Sequence, residues 1–155
     1  MATIVETGAG LTNSNSYISD ADFAAYATSM GVTVSGTAAI LLLKASVYVE
    51  ALTFIGAKKT RVQSMQWPRT DATVDGFLTP SDAIPKLLKD LQCEVAIAID
   101  SGIDPLADVS RAVKKEKVDV IEVEYMANSA AFSYNRKILA IEKKLTNSGF
   151  LVSRG

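Results

Sequence analysis

The sequence predicts a mainly α-helical fold: a small bundle of about four helices with an inserted β-hairpin and a short N-terminal strand. Apolar residues recur at helical spacing in four separate segments, whereas residues 113–125 alternate apolar with charged side chains. The chain has 155 residues, of which 48% are hydrophobic, so it can build one hydrophobic core. We therefore predict a single domain over residues 1–155.

The first segment, residues 1–18, is expected to be extended. Residues 3–6 have the β-branched composition of a short strand, which the following Gly8-Ala9-Gly10 would end. Ser19, with Asp22 three residues later, has the spacing of an N-terminal helix cap. We expect the helical core, residues 19–102, to begin there.

The second helix is predicted over residues 38–53, with Ser35 or Thr37 as its N-cap. It is apolar around more than half of its circumference, so it should lie centrally in the fold. The stripe predicted to face inward consists of Ile40, Leu43, Val47 and Ala51, widened by Leu41, Leu42 and Val49, with Tyr48 and Glu50 on a polar edge.

The stretch from residue 66 to residue 85 holds the only tryptophan and three of the four prolines. Trp67 is expected to fill the core beside the rigid Pro68. Asp75-Gly76 is a tight-turn signal, after which Phe77 and Leu78 are expected to return to the core. Residues 70–80 should thus form a fixed protrusion and a plausible contact between subunits.

The last part of the chain should contain two helices and the hairpin. One helix is predicted over residues 83–101, where apolar residues keep a helical period. The hairpin is predicted within residues 111–126, with lysines facing glutamates across the strands. A C-terminal helix and apolar tail occupy residues 135–155, the helix itself covering about residues 135–146.

Composition argues against catalysis. There is no histidine, so the usual general base and the commonest zinc ligand are missing, and the single cysteine, Cys93, cannot form an internal disulfide. We predict no enzymatic activity, no catalytic residue, no metal and no cofactor. The sequence also has no apparent signal peptide or membrane span, so we expect a cytoplasmic origin and no membrane partner.

Two short basic clusters are the candidate contacts with nucleic acid, because a net charge of −1 leaves only local patches for that role. Their residues are Lys58, Lys59 and Arg61, and Lys114, Lys115 and Lys117. For the first cluster the simpler interpretation is a favourable interaction with the preceding helix C-terminus, together with solubility. The alternative is contact with phosphate groups.

Several short motifs occur in an order that resembles one family of tailed-phage and prophage proteins. They are Ile4-Val5-Glu6, Asn15-Ser16-Tyr17-Ile18-Ser19, Gln66-Trp67-Pro68-Arg69, Asp75-Gly76, Ile84-Pro85, and the two runs 113–118 and 121–125. The family is often labelled a DnaT-like single-stranded-DNA-binding protein. Its place in phage structural gene clusters implies instead a head–tail connector, or adaptor.

The resemblance implies a structural virion protein located in the neck, between capsid and tail. Such a chain would form a ring, usually twelvefold, that binds the portal protein and a further neck or tail protein. DNA would pass through the lumen without sequence-specific binding. The candidate assembly contacts are Trp67, Arg69, Phe77, Tyr125, Phe150 and Leu151, and the two basic clusters are candidates for the DNA channel.

The alternative function is binding of single-stranded DNA, as the family label says. Such binding uses aromatic side chains interleaved with basic ones, because bases stack on the rings while phosphates contact the cations. Aromatic residues make up only 7% of this chain, and neither basic cluster contains one. The sequence therefore favours the connector over the single-stranded-DNA-binding protein.

Overall fold

A computed structural model describes residues 2–106 and 136–146, together with the backbone of residues 113–117 and 122–125. Its four helices are α1 (Asp20–Ser29), α2 (Ala38–Glu50), α3 (Lys86–Asp100) and α4 (Arg136–Leu145). Its six short strands are β1 (Ala57–Lys58), β2 (Arg69–Thr70), β3 (Thr73–Val74), β4 (Phe77–Leu78), β5 (Val113–Lys117) and β6 (Glu122–Tyr125). The strands pair antiparallel as β1–β2, β3–β4 and β5–β6. The mainly helical fold with a hairpin is confirmed.

The core lies mainly between α2 and α3, and α4 packs on α3. Leu42, Ala45 and Val49 of α2 are completely buried, as are Leu88 and Leu91 of α3. Helix α4 adds its own apolar face, which consists of Ile138, Ile141 and Leu145. Burial of a large aliphatic side chain contributes roughly 1.5–3 kcal/mol, so this contact is the main force that holds the helices together.

The predicted inward side of α2 is wrong in part. Leu41, Leu42 and Val49 are buried as predicted, together with Ala45 and Tyr48, whereas Ile40 and Val47 are 52% and 58% exposed. Because the helix is apolar around more than half of its circumference, its periodicity does not decide which side meets α3. Tyr48 lies inside because its hydroxyl donates a hydrogen bond to Glu142 of α4, which removes the cost of burying it.

The N-terminal segment is extended, but its predicted strand is reduced to one parallel bridge between Val5 and Ser16. Two backbone hydrogen bonds hold it there: Glu6 N donates to Ser16 O at 2.8 Å, and Asn15 N donates to Ile4 O at 2.9 Å. Ser19 caps α1 as predicted, since its Oγ accepts a hydrogen bond from Asp22 N at 3.1 Å.

The predicted hairpin near residue 119 is formed by β5 and β6. Its register places Lys115 opposite Glu124 and Lys117 opposite Glu122. The register shifts between Val113 and Lys115, which indicates a local irregularity such as a bulge. The predicted pairing of lysine-bearing and glutamate-bearing strands is therefore confirmed at the level of the backbone.

Candidate nucleic-acid interface

A second, smaller hairpin projects from the bundle and is formed by β3 and β4. Its turn residues Asp75 and Gly76 have φ angles of 52° and 81°. Positive φ at both central positions is typical of the type I′ turn, for which Asp-Gly is a preferred pair. The hairpin is anchored at its base, where Ala72 is completely buried and its carbonyl oxygen accepts a hydrogen bond from Thr79 N at 2.8 Å. We call this element the Asp75 hairpin.

Phe77 and Leu78 do not return to the core, contrary to the prediction from sequence. They are 79% and 69% exposed. Val74, opposite Phe77 in the register, takes the place against the core instead. Each strand of the Asp75 hairpin has only two residues, so the hairpin is too short for both strands to pack against the core. Among the side chains that the structure describes, Phe77 is the one aromatic ring that lies mostly in solvent.

Helix α4 packs against β3 and brings a basic residue to the Asp75 hairpin. Lys144 of α4 forms an ion pair with Asp75, with 3.3 Å between Nζ and Oδ2. Thr146, just after α4, forms an antiparallel bridge with Phe54, three residues before β1. We use the name hairpin end for the exposed Phe77 and Leu78 of this hairpin together with Lys144.

The predicted DNA-channel residues are placed differently from one another. Lys58 and Arg61 are exposed, whereas Lys59 is half-buried and its Nζ donates to the carbonyl oxygen of Gly8 at 3.2 Å. Lys114, Lys115 and Lys117 belong to β5, and their side chains lie outside the described residues. A channel formed by these six residues thus stays a prediction.

Two of the predicted assembly contacts are corrected, because Trp67 and Arg69 lie inside the fold. Trp67 is 1% exposed and meets the ring of Phe54 edge-on, with 6.0 Å between centroids. Its expected place in the core is confirmed. The Arg69 guanidinium is buried against backbone carbonyl oxygens, at 2.8 Å from Ile55 O and 2.5 Å from Gly56 O. Neither side chain offers a surface to a neighbouring subunit.

Of the other predicted assembly contacts, one lies at the surface and the rest have side chains outside the described residues. Phe77 is exposed and available for a contact. Tyr125 belongs to β6, with only its backbone described, and Phe150 and Leu151 lie outside the described residues. The contacts themselves stay predictions.

Buried polar residues that the sequence analysis did not single out hold residues 66–67 in place. Glu50 accepts a hydrogen bond from Gln66 N at 2.7 Å, and the Tyr17 hydroxyl accepts one from Trp67 N at 3.1 Å. Tyr17 in turn donates to Glu50. Burial raises the pKa of Glu50, and these hydrogen bonds oppose that shift only in part. The sequence feature that could have indicated this role is Glu50, a glutamate near the end of an apolar helix.

The basic residues of α4 were also missed, although four of its ten residues are cationic: Arg136, Lys137, Lys143 and Lys144. Within residues 2–106 and 136–146, no group of three His, Cys, Asp or Glu side chains is arranged to hold a metal ion. None of the helices described for this chain is long and apolar enough to cross a membrane. What the hairpin end does offer is an exposed aromatic ring and the half-exposed ammonium group of Lys144.

Proteins that bind single strands without reading their sequence combine aromatic rings, on which bases stack, with cations that contact the phosphates. The chain belongs to the family described as "Putative DnaT-like ssDNA binding protein", whose family model matches residues 1–152. Searches of curated proteins and of solved structures gave no significant match. The family match supports single-stranded-DNA binding more directly than it supports a head–tail connector.

Proposed function

We propose that this protein binds single-stranded DNA at the hairpin end. The observation that carries the proposal is Phe77, an aromatic ring that is 79% exposed on the hairpin whose turn pairs with Lys144 of α4. Together with its exposed neighbour Leu78 it forms an apolar patch, and such patches mark binding sites. The family description supports the same function.

The chemistry of the surface fits a single strand better than a duplex. A base of a single strand is free to stack on Phe77, whereas a paired base in a duplex is covered on both faces. Lys144, which pairs with Asp75 of the same hairpin, can neutralise a phosphate next to the stacked base. Stacking of one base on an aromatic side chain contributes roughly 1–3 kcal/mol and tolerates any base.

The test is binding of a fluorescently labelled oligo-dT to the wild-type chain and to Phe77→Ala, followed by anisotropy. Loss of the stacking contact should raise Kd by roughly 5- to 150-fold, which corresponds to 1–3 kcal/mol. Leu78→Ala is the matched control, because Leu78 is a similarly exposed neighbour without a π face. Equal Kd values for the two variants would contradict stacking on Phe77.

The second candidate function is the head–tail connector of a tailed phage. A separate observation favours it: Val47 of α2 is exposed close to Ile103 and Leu106, which leaves an apolar surface on the side of the bundle. Packing between identical subunits around a portal would cover such a surface. In that case the lysines would line a channel through which DNA passes.

The oligomeric state of the purified protein and its affinity for oligonucleotides together separate the two candidates. The connector predicts a ring, about twelvefold, that is visible in electron micrographs of the purified protein or that co-purifies with portal protein. The single-stranded-DNA-binding protein predicts a monomer whose affinity for oligonucleotides falls steeply as salt is added. A ring with no affinity for oligonucleotides would reject our first proposal, and a monomer with salt-sensitive binding would reject the second.

A further inference from the structure

A groove between α3 and α4 continues from the hairpin end toward α1. Its cavity measures about 290 Å³, which is near the lower limit of about 300 Å³ for ligand pockets. Its apolar lining includes Met30, Leu87, Ala140 and Ile141. Lys86, Lys137 and Lys144 provide ammonium groups along the same groove, and Asp90 provides one carboxylate. Apolar surface beside cations matches a ligand that is flat and apolar in one part and anionic in another.

The spacing of the cations on α4 suits a linear polyanion. Lys137 and Lys144 are seven residues apart, which is about two helical turns and places them about 10 Å apart along the axis on one face. Lys144 also touches Asp75 of the Asp75 hairpin, so the groove and the hairpin end share this residue. Lys86 lies on the opposite wall, at the start of α3.

Two of these lysines form ion pairs with carboxylates, yet half or more of each lysine side chain stays exposed and accessible to a ligand. Lys86 pairs with Asp90 at 2.6 Å while 84% of its side chain stays exposed, and Lys144 pairs with Asp75 at 3.3 Å with half of its side chain exposed. Exposed pairs of this kind are worth only about 0–1 kcal/mol. An ammonium group has three donors, so a phosphate can join or replace the carboxylate at little cost.

The third lysine has a positioning role. Lys137 forms an ion pair with the buried Glu94 and lies 5.6 Å from the centre of the Tyr26 ring. The Tyr26 hydroxyl donates to Glu94 at 2.5 Å. These contacts fix the far wall of the groove, because removal of Lys137 would leave the Glu94 carboxylate buried without its cation.

We infer that the groove between α3 and α4 is the track along which a single strand of nucleic acid leaves Phe77, with Lys86 and Lys144 bound to successive backbone phosphates. The inference rests on the proposed function and names where the strand runs. A base lies over Leu87 and Ile141, and the phosphates face the exposed ammonium groups on the two walls. Base identity is not read, since the floor is apolar.

The test is the salt dependence of oligo-dT binding by Lys86→Gln. Each lost phosphate contact should make the slope of log K against log salt less steep by about 0.7, the value for single strands. Lys44→Gln is the control, because Lys44 is exposed on α2 next to Val47, away from the groove. It should keep the wild-type slope. A slope for Lys86→Gln equal to that of wild type would overturn the inference.

A second readout locates the strand directly. Oligonucleotides with photoreactive thymidine should cross-link to peptides that contain Tyr26, Leu87 or Ile141, and cross-links confined to α2 would overturn the track. Competition by poly-glutamate with the same sensitivity to Lys86→Gln would also overturn it, in favour of a general polyanion site. If Phe77→Ala weakens binding while Lys86→Gln changes nothing, only the track fails. If the wild-type chain does not bind oligo-dT, both the track and the proposed function fail.

Discussion

At the scale of single residues, Trp67 is the side chain on which the middle of the chain depends. It is completely enclosed, and Phe54 packs against its ring. We predict that Trp67→Ala lowers the free energy of unfolding by roughly 3–5 kcal/mol, because the truncation leaves a cavity that a packed core cannot fill. Chemical denaturation at neutral pH measures this change.

Trp67→Phe is the informative control for that variant. Within the described part of the chain, the indole Nε1 of Trp67 is buried without a hydrogen-bond partner. Phenylalanine removes this donor and most of its desolvation cost. The free energy of unfolding should therefore fall clearly less for Trp67→Phe than for Trp67→Ala. An alanine variant with an unchanged unfolding midpoint would show that Trp67 does not support the core.

Glu6 is a second residue whose replacement we expect to lower the stability of the fold. Its carboxylate accepts hydrogen bonds from the backbone N–H groups of Gly8, Gly10 and Leu11, at 2.8–3.0 Å, and from the Ser14 hydroxyl at 3.0 Å. Gly8 is required there, because a Cβ atom would lie 1.9 Å from Asp82 O. The chain thus fills an anion-binding loop with its own side chain.

We predict that Glu6→Gln destabilises the fold by about 1–3 kcal/mol at pH 7, since an amide cannot satisfy four donors as a carboxylate does. Burial alone would raise the pKa of Glu6, but the backbone hydrogen bonds from Gly10, Leu11 and Gly8 outweigh it and lower the pKa below 4.5. The stability that Glu6 contributes is therefore present above pH 4.5 and is lost as pH falls through the lowered pKa.

Denaturation curves for wild type and Glu6→Gln should accordingly converge in acid. Asp104→Asn, at an exposed carboxylate outside this loop, serves as the control for the loss of one surface charge. A difference between wild type and Glu6→Gln that stays constant down to pH 2 would show that the carboxylate charge is not what holds the loop.

At the scale of elements, α4 is attached to the bundle by polar contacts as well as by its apolar face. Glu142 accepts a hydrogen bond from the buried Tyr48, and Lys137 pairs with Glu94. Burial raises the pKa of Glu142 above its ordinary value of 4.5, and the hydrogen bond from Tyr48 opposes this only in part. At this contact between α4 and the bundle, the folded protein therefore favours the protonated, uncharged form of the Glu142 carboxyl group.

We predict that Glu142→Gln stabilises the protein more at pH 7 than at pH 4. The folded state binds the Glu142 proton more tightly than the unfolded state, so wild-type stability is lost as pH rises from 4.5 through the raised pKa. Glutamine stays uncharged and still accepts the Tyr48 hydrogen bond. Urea denaturation at the two pH values gives the comparison, and an equal effect at both would mean that Glu142 ionises normally.

At the scale of the whole molecule, the exposed apolar side of α2 offers a test of whether the protein assembles. We predict that Val47→Asp leaves the unfolding midpoint nearly unchanged, because Val47 is more than half exposed. If the chain forms a connector ring, the charge should dissociate it, and sedimentation velocity would show this. Lys89→Asp, a charge change on α3, is the control and should leave the ring intact. A ring that survives Val47→Asp would show that its contacts lie elsewhere.

The general architecture was predictable from the sequence, because helical periodicity, the Ser19 cap and the Asp75-Gly76 turn are local signals. The orientation of α2 was not, since a helix that is apolar around more than half of its circumference gives no preferred side until Tyr48 meets Glu142. The exposure of Phe77 was not predictable either, because hydrophobicity alone argues for burial. The basic face of α4 was visible in the sequence as four cations in ten residues, but its position beside the Asp75 hairpin depends on contacts between distant segments.

The enclosure of Trp67 has a practical consequence for optical experiments. It is the only indole in the chain, so its emission reports on a single place, deep beside Phe54. Unfolding transfers that ring into water and shifts the emission to longer wavelength. A ligand at Phe77 does not touch the indole, so binding should leave the spectrum unchanged. Fluorescence of the unlabelled protein can therefore follow folding alone, while a labelled ligand reports binding in the same cuvette.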